Sequence, residues 1–135
     1  MIIAVDFDGT LCENAWPDIG EPNTHLIEYL KREKADGVEL ILWTMREGSS
    51  LAEAIAWCAR CGLTFDAVND NTESQKRLYN NNPRKVYADC YIDDHNAMYL
   101  PTDPRCWHRE KRFSNSGTQR VTYICKSKNF PKRQE

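Results

Sequence analysis

The apolar positions of this chain fall in short runs separated by longer stretches of mixed character. Residues 1–5 read Met-Ile-Ile-Ala-Val, apolar and β-branched, and give way to Asp6 with a glycine at position 9. Such a run predicts a buried parallel strand. Residues 38–43 predict a second strand, 64–68 a short third and 86–92 a fourth. Helices fit between them. One starts at Asn23 or Thr24, either able to cap it, shows an apolar face of Leu26, Ile27 and Leu30, and stops at Gly37. Ser50-Leu-Ala-Glu53 has capping-box spacing and opens a second helix through Leu51, Ala54, Ile55 and Cys58, stopped at Gly62. Residues 73–80 predict a helical turn or two, broken by Asn80-Asn81-Asn82-Pro83. Residues 12–22, with Trp16-Pro17 and Gly20-Glu21-Pro22, read as a loop. Strands alternating with helices predict an α/β fold, a three-layer Rossmann-like parallel sheet covered on both faces. Trp107, Phe113 and residues 120–125 add a final strand, and residues 126–135 read as frayed.

Composition narrows this picture. A chain of 135 residues, 41% of them hydrophobic, is most simply one domain with a real core. No run approaches the roughly 18 consecutive apolar residues of a membrane span. No basic region precedes the apolar start, so no signal peptide and a cytoplasmic protein without a membrane partner are expected. Of the six cysteines, Cys58 and Cys61 have metal or redox spacing, but they fall late in a predicted helix without a second pair. Reduced, structural thiols are the expectation, not zinc or disulfides. The net charge of −2 is unevenly spread. Residues 1–103 carry 9 Lys+Arg against 18 Asp+Glu, and residues 104–135 carry 9 against 2. An acidic core, 1–103, is thus followed by a basic extension, 104–135, expected to fold back in part on the core. The alternative use of such an extension is contact with nucleic acid.

The chemistry begins at Asp6-Phe7-Asp8-Gly9-Thr10. Two carboxylates sit where a buried strand runs out into a loop. They repel each other and resist desolvation. A cation is the usual remedy, and hard oxygen ligands suit Mg²⁺. Gly9 lets the backbone turn sharply or approach a ligand. In open α/β sheets, ligands bind at the carboxyl ends of strands. Asp93-Asp94 ends the fourth strand in the same way. A lone Asp-x-Asp suits a solvated strand end equally well; its company decides between the two.

Four places in order carry a resemblance: Asp6-Phe7-Asp8-Gly9-Thr10, Leu42-Trp43-Thr44-Met45-Arg46, Lys85, and Tyr91-Ile92-Asp93-Asp94. Over roughly residues 1–100 the chain resembles the haloacid dehalogenase (HAD) superfamily, dominated by Mg²⁺-dependent phosphohydrolases with an aspartate nucleophile. The resemblance implies a HAD-like sheet with the first strand central and the fourth beside it. It implies that Asp6 gives Mg²⁺ a side-chain oxygen and Asp8 its backbone carbonyl. Asp93 would add a carboxylate, directly or through water; Asp94 can do the same, and the choice stays open. Thr44, Lys85 and backbone N–H groups of the loop after Asp6 would hold the phosphate of a phosphorylated substrate. Lys85 is preferred to Lys76 for its spacing to the acids, although Val86 stands where the family often has Pro. Asp6 would attack phosphorus, while Asp8 protonates the leaving oxygen and then activates water. Dehalogenases of the superfamily lack this second acid and its transport ATPases carry Thr there, so Asp8 points to a phosphatase or phosphomutase.

Residues 10–23 and 68–85 are too short to hold a folded cap domain, so no cap is expected. The lack of a cap also argues against a phosphomutase, which must retain a released intermediate. An open site suits large substrates, including phosphorylated polymer ends. Small ones need shielding from water by loop 12–22, the basic extension or a neighbouring subunit of an oligomer. Gly9, Arg46 and Trp16 are the candidate substrate contacts, with a surface acid as the other partner for Arg46 and packing under the loop as the other use of Trp16. Two other classes fit less well. A signalling receiver domain places its acid doublet early in the chain. A nucleic-acid-binding module would rest on the basic extension alone, without an RNA-binding signature.

Overall fold

The structure, a computed structural model, describes residues 1–96 and the backbone of two strands spanning 107–113 and 119–125. Its elements in chain order are β1 (Ile2–Val5), β2 (Cys12–Ala15), β3 (Asp18–Pro22), α1 (Thr24–Ala35), β4 (Glu39–Leu42), α2 (Gly48–Arg60), β5 (Ala67–Val68), α3 (Glu73–Tyr79), β6 (Cys90–Ile92), β7 (Trp107–Phe113) and β8 (Gln119–Cys125). They fall into two compact units, Met1–Asp94 and His95–Glu135.

The first unit is an α/β fold of Rossmann-like design, built on a four-stranded parallel sheet of order β5-β4-β1-β6. The run Ile2–Val5 is central because it is apolar on both faces, and all four residues are buried. Its register runs Ile2↔Glu39 to Val5↔Leu42 on one side and Ile3↔Cys90 to Val5↔Ile92 on the other. Strands β1, β4 and β6 therefore end level with one another. Side chains alternate between the faces. Ile3, Val5, Leu40 and Leu42 pack with Ile27 and Leu30 of α1 and with Ala54 and Cys58 of α2. Each such large apolar side chain is worth about 1.5–3 kcal/mol when fully buried.

On the other face Ile2, Ala4 and Ile41 meet Val86 and Ala88, from the chain between α3 and β6. α3, for its part, buries no residue. The stretch 86–88 was expected to be strand, but its backbone polar groups bond to side chains. Tyr91 donates its hydroxyl to the Val86 carbonyl (2.6 Å) and accepts the Ala88 N–H (3.2 Å), and Tyr87 N–H donates to Asn71 Oδ1 (2.7 Å).

The helix signals hold with one change. Asn23 Oδ1 accepts the Leu26 N–H and caps α1, and Gly37 follows its end with φ +91°. α2 starts two residues before Ser50, with Glu47 as its cap residue, and the Ser50 hydroxyl donates to the Glu47 carbonyl (2.8 Å) instead of capping. Residues 12–22 are no plain loop. β2 and β3 form an antiparallel hairpin that turns at Trp16-Pro17. In the second unit, one expected strand is two: β7 and β8 pair antiparallel from Trp107↔Cys125 to Phe113↔Gln119 in a sheet of their own. The expected packing of the extension on the core, and the state of residues 126–135, lie outside the described residues. Among the described residues no helix is long and apolar enough to cross a membrane.

Candidate active site

Parallel pairing of β1 with β6 carries the acids together. Asp6 follows Val5, its N–H donates to the Ile92 carbonyl (2.9 Å), and Asp93 and Asp94 come next on the β6 side. Carboxylate oxygens of Asp6, Asp93 and Asp94 all lie within 4.8 Å of one another. Burial pushes the Asp6 carboxyl up to about 6, against a lowering hydrogen bond from Thr10; the charges of Asp93 and Asp94 push it further. The Thr10 hydroxyl donates to Asp6 Oδ2 (3.0 Å) and accepts the Asp94 N–H (3.1 Å), bracing the two strand ends. Thr10 is itself buried, and sequence reasoning had given it no role. Its signal was position: a hydroxyl four residues after Asp6 reaches back across the turn.

This donor set fits a hard divalent cation. It offers oxygens only, clustered and partly desolvated, and one of its acids holds its proton more tightly than an ordinary carboxyl. Asp6, Asp93 and Asp94 are the residues that would hold the ion. Asp8 stands apart: its carboxylate turns to Arg46, so only its backbone carbonyl would be left for an ion.

A measurable consequence follows for pH. Asp6 is held above the ordinary 3.8, so its contribution to stability is full below about pH 4 and is lost as pH rises through about 6. A divalent ion must displace that proton. The rise in melting temperature on adding Mg²⁺ is therefore expected to be larger at pH 7.5 than at pH 5. Calorimetry at both pH values checks it, and equal rises would place ion binding elsewhere.

Arg46 is the second centre, and its assignment changes. It is 2% exposed, and it pairs with Asp8 rather than with a surface acid. Nε donates to Asp8 Oδ2 (2.7 Å) and Nη2 to Asp8 Oδ1 (2.8 Å), a bidentate fork. The remaining donors go to carbonyls: Nη2 to Asp18 (2.8 Å), and Nη1 to Pro17 (3.4 Å) and Ser50 (3.5 Å). A guanidinium has five N–H donors. With all of them engaged, Arg46 has none left for a substrate in this arrangement.

Trp16 is 59% exposed, not packed under a loop, and Arg46 Cζ lies 4.9 Å from its ring centroid. A pocket of about 320 Å³ is lined by Asp8, Asn14, Trp16, Met45 and Arg46. Gly9 has φ +86°, and a Cβ there would run into the Asp94 carboxylate. Its N–H donates to the Cys12 carbonyl (2.9 Å), so Gly9 supplies room for Asp94 and not an amide for phosphate. The N–H groups of Thr10, Leu11 and Cys12 also turn inward, onto the Phe7 carbonyl, which withdraws them from the expected phosphate cradle.

Thr44 follows the end of β4. Its N–H donates to Asn69 Oδ1 (2.8 Å), and its Oγ1 accepts the Arg46 N–H (3.1 Å), which leaves the hydroxyl proton to give. Lys85 is exposed, just before buried Val86, and no hydrogen bond among the described residues ties it to the acids. Lys76 is committed elsewhere, to Asp70 (2.7 Å) and Glu73 (2.9 Å). Cys58 is buried in the core, and burial pushes its thiol up to about 12, far from the reactive range.

No protein-family model and no curated protein matches the chain. Among solved structures, it is similar to that of a conserved protein coded by a locus from Bacteroides thetaiotaomicron. The two are 44% identical with a TM-score of 0.64, over 75% of this chain and 81% of the other.

Proposed function

We propose that this chain, which belongs to the same family as the conserved Bacteroides thetaiotaomicron protein, is a HAD-like phosphomonoester hydrolase without a cap domain, working through an aspartyl-phosphate on Asp6. The observation that carries the reading is the meeting of Asp6, Asp93 and Asp94 at the carboxyl ends of the adjacent strands β1 and β6, with Asp8 two residues on. A Mg²⁺ held by these acids would offset their charge and that of a phosphate dianion.

Asp6 Oδ forms a bond to phosphorus as the ester oxygen leaves with a proton from Asp8. Water then attacks the phosphorus of the aspartyl-phosphate, Asp8 takes the water's proton, and phosphate departs with Asp6 restored. The Thr44 hydroxyl, whose proton is left to give, would donate to the phosphoryl oxygens, and Lys85 would supply a positive charge from the exposed side. The Asp8 oxygens both accept from Arg46, so Asp8 must release one arm of that fork and take up a proton from solvent before it can give one to the leaving oxygen. The acid–base role therefore includes a small conformational step.

The test is phosphate release from aryl phosphates, sugar phosphates, nucleotides and phosphorylated oligonucleotide ends, before and after chelation and dialysis. Release that disappears with the metal and returns with Mg²⁺ is expected. Release that survives chelation overturns the metal assignment; none from any class, with Mg²⁺ present, overturns the phosphatase.

A further inference from the structure

We propose that Arg46 is a positioning residue whose single guanidinium ties the orientation of Asp8 to the seat of the β2–β3 hairpin. The inference rests on the phosphatase reading above and assigns a control element to the same site. All five N–H donors of the guanidinium are engaged, and two aromatic rings lie close to it. One edge takes both oxygens of Asp8. The others take the Pro17 and Asp18 carbonyls of the hairpin and the Ser50 carbonyl of the first turn of α2. Arg46 Cζ lies 5.0 Å from the Phe7 ring centroid and 4.9 Å from that of Trp16, so one ring comes from the loop after β1 and the other from the hairpin turn.

The arrangement is rigid for a chemical reason. A planar fork fixes the carboxylate it holds in direction as well as distance. Turning that plane breaks contacts to the hairpin, and lifting the hairpin strips Arg46 of two carbonyls and a ring. Asp8 lines the same pocket as Trp16, Asn14 and Met45. A substrate that displaces the hairpin from this pocket therefore loosens the hold on Asp8. Scaffolding alone would not require the held group to be the acid–base carboxylate itself.

The experiment compares Arg46→Lys with wild type on an alkyl phosphate, which needs leaving-group protonation, and on an activated aryl phosphate, which needs it less. Lysine keeps the charge and cannot fork. Single-turnover phosphorylation of the alkyl ester is expected to fall at least about 10-fold, and that of the aryl ester less than about 3-fold, with KM little changed. In an Asp8→Asn background the same change should cost nothing further. Equal losses on both esters, or full multiplication of the two variants' effects, overturn the proposal.

Should Arg46→Lys not fold, Trp16→Leu at an exposed position replaces it. The same leaving-group-dependent loss, smaller, is expected. A raised KM with unchanged kcat overturns the proposal by putting Trp16 on the substrate instead. If the wild-type chain releases no phosphate at all, the phosphatase reading is what fails. Amide hydrogen exchange then judges the coupling: faster exchange at residues 12–22 in Asp8→Asn supports it, and unchanged exchange overturns it.

Discussion

Asp6→Asn is expected to lower phosphate release by about 10⁴-fold or more while leaving the chain folded and, without Mg²⁺, more stable. The carboxamide keeps the shape of the side chain and can still accept the Thr10 hydroxyl, but it is a poor nucleophile. The gain in stability has its own cause. Asp6 sits with two other carboxylates within 4.8 Å, and burial pushes its proton affinity up to about 6. At pH 7 the fold thus holds a charge it disfavours, and the amide removes it. The melting temperature of the variant should exceed that of the ion-free wild type at pH 7. The difference should shrink at pH 5, where the wild-type carboxyl is mostly protonated. Wild-type turnover in the variant would reassign the nucleophile. A lower melting temperature at pH 7 would show that the acids do not repel one another there. The trade fits a general pattern in which active sites hold arrangements that stability alone would not select.

Asp8→Asn is the second large effect, and the structure changes its meaning. From sequence, the amide keeps the backbone carbonyl and removes only acid–base function. In the folded chain it also leaves the Arg46 guanidinium, whose side chain is 1% exposed, without a counter-ion. Breaking a buried pair from one side typically costs about 3–5 kcal/mol. Asp8 keeps 20% of its side-chain exposure, so about 3 kcal/mol is expected. For a unit of this size that is a fall in melting temperature of about 10–20 °C. Adding Arg46→Met should restore part of it, because an apolar pair replaces a broken ionic one.

The kinetic half is read at a temperature where the variant is folded. Phosphorylation by an alkyl phosphate should slow by about 10²–10⁴-fold, and by an aryl phosphate much less. Aryl release should then show a burst as the aspartyl-phosphate accumulates. Rapid-quench assays on both esters decide it. Equal slowing with no trapped intermediate makes Asp8 a structural residue, and a stability loss under about 1 kcal/mol contradicts a buried ion pair.

The parts of this fold legible in the sequence are those where one residue's neighbours decide its role. Ile2–Val5 and Glu39–Leu42 announce a sheet because burial on both faces demands continuous apolar residues. Asp6, Asp8, Asp93 and Asp94 announce a charge problem at strand ends for the same local reason. Val86 and Ala88 mislead, since apolar chain lying against a sheet looks like chain within it. The hairpin was hidden by composition. Cys-Glu-Asn-Ala and Asp-Ile-Gly-Glu-Pro are mostly exposed and poor in strand formers. One signal was present: Gly20 lies against the Glu13 backbone, where a Cβ has no room, and glycine within a strand often marks such an approach. The partnership of Asp8 with Arg46 had no local signal at all. The two are 38 residues apart, and the pairing of β1 with β4 brings their ends together.

The hairpin meets Arg46 largely through main-chain carbonyls, those of Pro17 and Asp18. A carbonyl presents the same acceptor whatever side chain it belongs to. The turn is therefore an exchangeable part: a hairpin of matching length from a related chain can be transplanted here provided its path is kept and an aromatic residue stands at position 16. Positions 8 and 46 are not exchangeable singly, because their contact is between side chains of fixed charge and shape. Chimaeras must take both from the same parent, which rules out a single crossover between positions 8 and 46.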